Sequence, residues 1–168
     1  LDIESLRTGT VEVDVAPEPL DQILEETVHD LRPYAEKFGA NLVIETRERG
    51  FQILADHRRA LQCLTNLVSN ACKYGDHSSP VLIRTDLDKG SKVCVEVINQ
   101  GLGVPEPFED RLFTAFSRAD TSDTRKTGGT GLGLKITKEL MSRMGGDVTH
   151  HRDPKGRTVF TLCFVRAE

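Results

Sequence analysis

The sequence predicts an α+β fold in which helices cover one side of a sheet. Three segments repeat apolar residues at the spacing of an α-helix, and about six shorter segments alternate as β-strands do. The chain has 168 residues, 38% hydrophobic and 29% charged, as expected of one globular domain. Residues 101–130 have no sustained period and are rich in Gly, Thr, Asp and Ser. Irregular segments of that length are usually functional.

The elements follow one another in a clear order. Residues 1–10 look like the end of a helix, and Val11–Val15 alternates like a short strand before the prolines at 17 and 19. Helical spacing then runs from Leu20 to Phe38, with Pro33 expected to kink or restart the helix. The remaining predictions are strands at 41–46 and 51–54, a helix from Asp56 or His57 to Tyr74, a hairpin of strands at 81–87 and 92–98, a helix at 132–144, and strands at 147–151 and 158–165.

The composition of the chain argues against several classes of function. The formal net charge is −4, whereas a nucleic-acid-binding protein usually carries a basic surface, so such binding is not expected. No apolar run reaches the roughly 18 residues that a membrane span requires. The four cysteines form no C-x-x-C pair, and three of them lie in apolar patterns, which favours reduced thiols in the cytosol over disulfides. We find no zinc signature.

The second predicted helix carries two stripes. Apolar residues occupy one side, and Asn66, Asn70 and Lys73 fall nearly opposite at spacings of four and three. A solvated helix face is the ordinary interpretation of such a polar stripe. However, asparagine is a poor helix former, whereas its carboxamide oxygen is a hard ligand of the kind that suits Mg²⁺. A lysine one turn further on can neutralise phosphate oxygens. The stripe alone leaves both interpretations open.

Two glycine-rich segments follow. The strand that ends in Val97-Ile98 stops at Asn99, and Gly101 and Gly103 then allow backbone to approach a flat ligand. Residues 128–134 (GGTGLGL) run directly into the third helix, where backbone N–H groups and the helix dipole favour an anion. This segment has neither the G-K-[S/T] of a Walker loop nor the preceding strand of a Rossmann turn. Taken alone, it can equally be a flexible hinge.

The order of the motifs carries more weight than any one of them. It runs N-x-x-x-N-A-x-K-Y at 66–74, N-x-G-x-G at 99–103, F-x-x-F at 113–116 and G-G-T-G-L-G-L at 128–134. In this order the sequence resembles the catalytic and ATP-binding domain of sensor histidine kinases, in the superfamily of gyrase, MutL and a heat-shock chaperone. The segments look like its N box, first glycine box, F box and second glycine box.

The resemblance covers roughly residues 13–165. It implies a two-layer α/β sandwich of the Bergerat type, with a mixed sheet, three helices on one face and a long ATP lid. Under it, Asn70 would bind the Mg²⁺ that bridges the ATP phosphates, and Asn66 and Lys73 would lie near those phosphates. Tyr74 would pack on the adenine, and Thr158 would help to fix the base through water.

The other implied nucleotide contacts lie in the glycine boxes and the lid. No residue is implied with certainty as a catalytic group. For the three basic lid residues, ordinary solvated loop charge is an equal alternative. The set comprises Gly101, Gly103, Val104, Arg118, Arg125, Lys126, Gly129, Thr130, Gly131, Leu132, Gly133 and Leu134.

Asn99 is the departure from the family, which has an aspartate here to accept a hydrogen bond from the adenine amine. An asparagine keeps one acceptor oxygen and replaces the other with an NH₂ donor. The loss of the charge-assisted part of the bond is about 1–2 kcal/mol, at least tenfold in affinity. The change is compatible with weakened ATP binding, with a degenerate pseudokinase that acts through protein contacts, or with an engineered binding mutant. We expect weakened but retained binding.

The resemblance further implies an enzyme module that presents the γ-phosphate of ATP to a histidine on a separate dimerisation domain of the same protein. A response regulator would act downstream. Residues 1–12 would end the dimerisation helix and linker, and 13–168 would form the catalytic domain. We expect a cytoplasmic, monomeric fragment that is not membrane-embedded, from a homodimeric parent that can itself be membrane-anchored.

One further motif looks like a phosphorylation site, but we do not interpret it as one. His29-Asp30-Leu31-Arg32-Pro33 resembles the family's phosphoacceptor box, but its proline comes one position early. The motif also lies within the first helix of this domain, after the linker. We therefore expect no phosphorylation at His29 and place the phosphoacceptor histidine upstream of residue 1.

Overall fold

A computed structural model describes residues 12–46, 49–87, 91–100 and 133–167 of the chain. The helices in these ranges are α1 (Leu20–Lys37), α2 (His57–Tyr74) and α3 (Gly133–Arg143). None of these three is long and apolar enough to cross a membrane. The strands are β1 (Ala16–Pro19), β2 (Leu42–Thr46), β3 (Gln52–Ala55), β4 (Val81–Leu87), β5 (Lys92–Asn99), β6 (Asp147–Arg152) and β7 (Thr158–Ala167).

The strands form one mixed sheet in the order β1-β3-β7-β5-β4-β2, and β6 also pairs with β7. Among these pairings, only β2 with β4 is parallel. The ten-residue strand β7 pairs with β5 along one edge. Its other edge is shared, because its first six residues pair with β6 and its last three with β3. The sheet is therefore organised around β7.

The core lies between this sheet and the helices. Alternate residues of β5 and β7 are buried on one face of the sheet, and α2 buries an apolar side that packs into the same core. Burial of one such side chain is worth about 1.5–3 kcal/mol. The predicted α+β sandwich is confirmed. The residues concerned are Val93, Val95 and Val97 of β5, Phe160, Leu162 and Phe164 of β7, and Leu64, Leu67 and Val68 of α2.

The first strand differs from its prediction. Residues 12–15 are not in a strand, and β1 instead contains the two prolines that we expected to separate strand from helix. Pro17 lies opposite Leu54 and Pro19 opposite Gln52 of β3. Proline lacks the N–H that a central strand must donate, but β1 is an edge strand with a single partner. The prolines fit there because one side of the strand has no ladder to complete.

The first helix also passes through its proline. Helix α1 continues across Pro33 without the restart that the sequence suggested. Pro33 cannot donate a hydrogen bond to the carbonyl oxygen of His29, four residues earlier. Both residues are exposed, so water can satisfy that carbonyl oxygen. The buried side of α1, which includes Ile23 and Leu24, keeps the helix on the core.

The cysteines depart from the expectation of a fully reduced chain. Cys94 of β5 lies opposite Cys163 of β7 with 4.1 Å between the Cα atoms, and their sulfurs form a disulfide. Cys63 and Cys72 remain free thiols, buried in α2. Burial raises the pKa of the Cys63 thiol to about 12 and that of Cys72 to about 11, so both stay protonated at neutral pH.

Thiol counting tests the disulfide. Protein denatured without reductant should take up alkylating reagent at two cysteines, Cys63 and Cys72, and at all four after reduction. The double substitution Cys94→Ser and Cys163→Ser should lower the free energy of unfolding by about 2–4 kcal/mol, because it releases a long closed loop in the unfolded chain. Four reactive thiols before reduction, in freshly purified protein, would contradict the pairing.

Candidate functional site

Helix α2 positions four of the residues that the sequence singled out, namely Asn66, Asn70, Lys73 and Tyr74. Its start is fixed by Asp56, whose Oδ1 accepts a hydrogen bond from the N–H of Arg59 at 3.3 Å. The polar stripe of Asn66, Asn70 and Lys73 is half-buried, and it is therefore not a simple solvated face. Tyr74, in the last turn, is 46% exposed. A half-buried polar stripe must find partners in the protein, in water or in a ligand.

Asn66 finds its partners in the first turn of α3. Its Nδ2 donates to the carbonyl oxygen of Gly133 and to Oγ1 of Thr137, both at 3.1 Å. The hydroxyl of Thr137, which is fully buried, in turn donates to the carbonyl oxygen of Gly133 at 2.8 Å. This network fixes the start of α3, and with it the end of the second glycine segment, against the middle of α2.

Asn70 lies one turn beyond Asn66 on the same side of α2. It is half-buried, and its carboxamide has no hydrogen-bond partner among the residues that the structure describes. A partly buried amide loses free energy unless water or a ligand satisfies it. Its oxygen is therefore available as a hard ligand, in contrast to the occupied amide nitrogen of Asn66.

A second cluster of polar groups lies where β5 ends and β7 begins. Asn99 and Thr158 are directly opposite each other in the antiparallel ladder. Both side chains are buried, with exposed fractions of 6% and 2%. The hydroxyl oxygen of Thr158 is buried without a hydrogen-bond partner in the described ranges. An unsatisfied buried hydroxyl costs about 1–3 kcal/mol, so this position favours a water molecule or a ligand.

The end of α2 is joined to the end of β5. The carbonyl oxygen of Gln100 accepts hydrogen bonds from the N–H of Asp76 at 2.7 Å and from Nδ2 of Asn99 at 3.0 Å. Gly75 lies so close that a Cβ atom built on it would be 3.1 Å from Asn99 Nδ2. The Asn99 amide nitrogen is thus held by backbone, which leaves its Oδ1 as the acceptor for another group.

One titratable group belongs to this junction. A hydrogen bond from the backbone N–H of Ser78 lowers the pKa of the Asp76 carboxyl. The residue is exposed, and its carboxylate is charged at neutral pH. It caps the turn that follows α2.

Helix α2 therefore connects two chemically different ends of one site. It contacts the start of α3 at Asn66 and the end of β5 at Gly75, nine residues further on. At 1.5 Å per residue these contacts are about 14 Å apart along the helix axis, and Asn70 and Lys73 lie between them. The end of the site at β5 and β7 offers the buried amide of Asn99 and the hydroxyl of Thr158. The end at α3 offers the positive, N-terminal end of that helix's dipole. Such a site suits a ligand with a polar ring edge and an anionic tail.

Several predicted contacts lie outside the described residues. They are Gly101, Gly103, Val104, Arg118, Arg125, Lys126, Gly129, Thr130, Gly131 and Leu132, together with the two phenylalanines of the F-x-x-F segment. Their roles stay predictions. Of the glycine-box residues, Gly133 and Leu134 are described, and both lie in the first turn of α3.

Sequence reasoning missed three contributors to this geometry. Thr137 looked like an ordinary helix residue, although its position four residues after Gly133 allows a hydroxyl to reach that carbonyl oxygen. Gly75 looked only like a helix stop. Gln100 contributes through its backbone, which no side-chain pattern reveals.

The chain is similar to known proteins over most of its length. Residues 55–168 match a profile of the family described as histidine kinase-, DNA gyrase B-, and HSP90-like ATPases. The signal transduction histidine-protein kinase BarA of Escherichia coli (strain K12) is 35% identical over 164 residues, which are 95% of this chain and 18% of BarA. The sensor histidine kinase WalK of Bacillus subtilis (strain 168) is 36% identical over 120 residues, 70% of this chain and 20% of WalK. The chain spans about a fifth of the length of these relatives.

Solved structures extend the likeness to the fold. The catalytic domain of histidine kinase ThkA, in a nucleotide-free form, superposes with a TM-score of 0.77 at 25% identity, over 92% of this chain and 97% of that one. Full-length ShkA in complex with AMPPNP gives a TM-score of 0.78 at 28% identity, over 94% of this chain and 32% of that one.

A substitution at Gly75 tests how closely this residue approaches its neighbours. In Gly75→Ala the new methyl group would lie 2.5 Å from the carbonyl oxygen of Ala71 and would crowd Asn99, so the backbone must shift. We expect the free energy of unfolding to fall by about 1–3 kcal/mol in chemical denaturation. Gly133→Ala is the matched control, because its methyl group meets Asn66 at an ordinary 3.6 Å. Equal stability of the two variants would contradict the close approach.

Proposed function

Because the chain belongs to the family of histidine kinase-, DNA gyrase B-, and HSP90-like ATPases, we propose that it is the ATP-binding catalytic domain of a two-component sensor histidine kinase. In this proposal it binds Mg·ATP and presents the γ-phosphate to a histidine on a separate dimerisation domain of the same protein. A response regulator then receives the phosphoryl group.

The observation that carries this proposal is the arrangement along α2. Gly75, directly after the helix, lies against Asn99 of the buried Asn99–Thr158 pair, and Asn66 in the middle of the helix contacts the start of α3. A nucleotide has a flat base with polar edges and a charged phosphate chain, and these two parts match the two ends. The AMPPNP complex of ShkA, whose fold this chain shares, supports the assignment.

Asn99 serves the base in this proposal with its oxygen. The carbonyl oxygen of Gln100 accepts from Nδ2 of Asn99, so the amide cannot turn around without placing two acceptor oxygens together. The remaining Oδ1 accepts a hydrogen bond from the 6-amino group of adenine. Thr158 offers its unsatisfied hydroxyl to a water that bridges to the base. The site thus keeps the acceptor that ATP requires, without the negative charge of an aspartate.

Asn70 is the residue that would hold Mg²⁺. Its carboxamide has no hydrogen-bond partner among the described residues, and an amide oxygen is a hard ligand of the kind that Mg²⁺ takes along with phosphate oxygens and water. The metal would neutralise charge on the phosphates. Lys73, one turn further on, adds a positive charge on the same side of the helix.

The chemistry of the transfer needs little from the domain beyond position and charge. Phosphoryl transfer depends mainly on alignment of donor and acceptor and on stabilisation of the phosphate oxygens. Helix α3 can supply backbone N–H groups and its dipole there. We assign no general base to this domain, because the acceptor histidine belongs to another one.

The same proposal includes the oligomeric state and the cellular location of the domain. The chain by itself is monomeric and cytoplasmic, and its parent is a homodimer with the acceptor histidines. A reducing cytosol would act against the Cys94–Cys163 disulfide, so the thiol count described above also bears on this assignment.

Isothermal titration with Mg·ATP tests the assignment of Asn99. Asn99→Asp should bind about tenfold more tightly than the unsubstituted chain, because a carboxylate restores the charge-assisted bond to the adenine amine. The same substitution removes the donor to the carbonyl oxygen of Gln100 and should lower the free energy of unfolding by about 1 kcal/mol. Weaker binding by Asn99→Asp would contradict the role of Asn99, and no binding by either protein would contradict the proposed function.

If Asn70 binds Mg²⁺, its substitution should lower the affinity for ATP only when Mg²⁺ is present. Asn70→Ala should weaken ATP binding at least tenfold in Mg²⁺ and change it less than twofold in EDTA, because only the metal contact is removed. Asn41→Ala is the control, since Asn41 is an exposed asparagine that lies outside α2, next to β2. An equal loss with and without Mg²⁺ would assign Asn70 a contact with the nucleotide itself.

A further inference from the structure

We infer that Thr137 is a positioning residue that decides which atom of the Asn66 amide faces the nucleotide phosphates. This inference rests on the proposed function and deepens it. It concerns a side chain in the third helix that is 0% exposed and cannot itself contact a ligand.

The hydrogen-bond count fixes the orientation of the amide. The Thr137 hydroxyl has one proton, and it donates that proton to the carbonyl oxygen of Gly133 at 2.8 Å. Its oxygen can then only accept from Asn66. The carbonyl oxygen of Gly133 is also an acceptor, and both acceptors lie 3.1 Å from Asn66 Nδ2. The amide nitrogen must therefore face α3.

The oxygen of Asn66 consequently takes no part in the hydrogen bonds to Gly133 and Thr137. A half turn of the amide would place Oδ1 against two acceptor oxygens, which is unfavourable in a partly buried site. Asn66 then offers an acceptor on the stripe that it shares with Asn70, one turn away. Without Thr137, only one acceptor would hold the nitrogen, and the amide would be freer to present N–H donors instead.

This orientation has a consequence for the ligand. An outward oxygen suits Mg²⁺ or a water bound to it, whereas an outward NH₂ suits a phosphate oxygen. We therefore assign Asn66 to the cation side of Mg·ATP, and Thr137 to holding it there. The part-buried hydrogen bonds from Asn66 to Gly133 and Thr137 also join the two helices at this place.

The chain contains a matched control for the test. Thr27 of α1 is also buried, and its hydroxyl donates to the carbonyl oxygen of Ile23, four residues earlier, at 2.8 Å. Its hydroxyl therefore makes the same bond to the carbonyl oxygen four residues earlier as Thr137 does. Unlike Thr137, it accepts no hydrogen bond from Asn66. Thr27→Val and Thr137→Val should lower the thermal stability comparably, while only the second should alter nucleotide binding.

The test measures Mg·AMPPNP affinity by titration at several Mg²⁺ concentrations. Thr137→Val should bind about tenfold more weakly and with a reduced dependence on Mg²⁺, whereas Thr137→Ser and Thr27→Val should stay within about twofold of the natural chain. The side-chain NH₂ protons of Asn66 should exchange with water faster in Thr137→Val than in Thr137→Ser, as followed by NMR. An equal effect of the two valine variants, with normal binding by the natural chain, would overturn the inference alone.

A double-substitution cycle shows whether Thr137 acts through Asn66. In the Asn66→Ala background, Thr137→Val should cause no further loss of affinity, because the amide that it positions is absent. Fully additive losses would overturn the inference. If the natural chain and Asn99→Asp both fail to bind Mg·AMPPNP, the proposed function itself is overturned and this inference falls with it.

Discussion

The packing of α2 on the sheet is the contact on which the rest of the structure depends. Its apolar side, with Leu64 and Val68, is buried in the core that also contains the valines of β5 and the aromatic residues of β7. Because a helix is rigid, this burial fixes the rotation of α2 about its axis and so the direction of its polar stripe. A rotation by one residue, about 100°, would turn Asn70 away from the site. The core thereby specifies the position of a potential ligand-binding group that contributes nothing to the core.

The polar groups are arranged so that nitrogen atoms are held by backbone and oxygen atoms remain available. Asn66 directs its NH₂ to α3, and Asn99 directs its NH₂ to the carbonyl oxygen of Gln100. A backbone carbonyl oxygen orients the Asn99 amide, and a backbone carbonyl oxygen together with the Thr137 hydroxyl orients the Asn66 amide. The two asparagines present neutral dipoles to this site, and such groups lose less free energy on desolvation than carboxylates do.

The parts of the fold that follow from local periodicity were predictable, and the parts that depend on distant partners were not. The bounds of α2 and the β4–β5 hairpin agree with the sequence pattern to within a residue. The pairing of Cys94 with Cys163 depends on strand register across 69 residues, which no local pattern contains. The prolines of β1 were misjudged because their tolerance depends on the edge position of that strand. At the candidate site, the spacing of Asn66 and Asn70 predicted that both lie on one stripe of a helix, but the hydrogen bonds of the Asn66 nitrogen depend on α3, which is distant in sequence.

The central place of β7 has a consequence for how the chain acquires its structure. The strand is the last of the seven to be synthesised, and it nevertheless separates β5 from β3 and β6 in the finished sheet. Until it leaves the ribosome, the earlier strands can form only the β4–β5 hairpin with β2 and the separate β1–β3 pair. Contacts between residues so far apart in sequence form slowly and expose apolar surface meanwhile. Apolar surface of β5 therefore stays uncovered by β7 until that strand has been synthesised, and the Asn99–Thr158 end of the site arises in the same step.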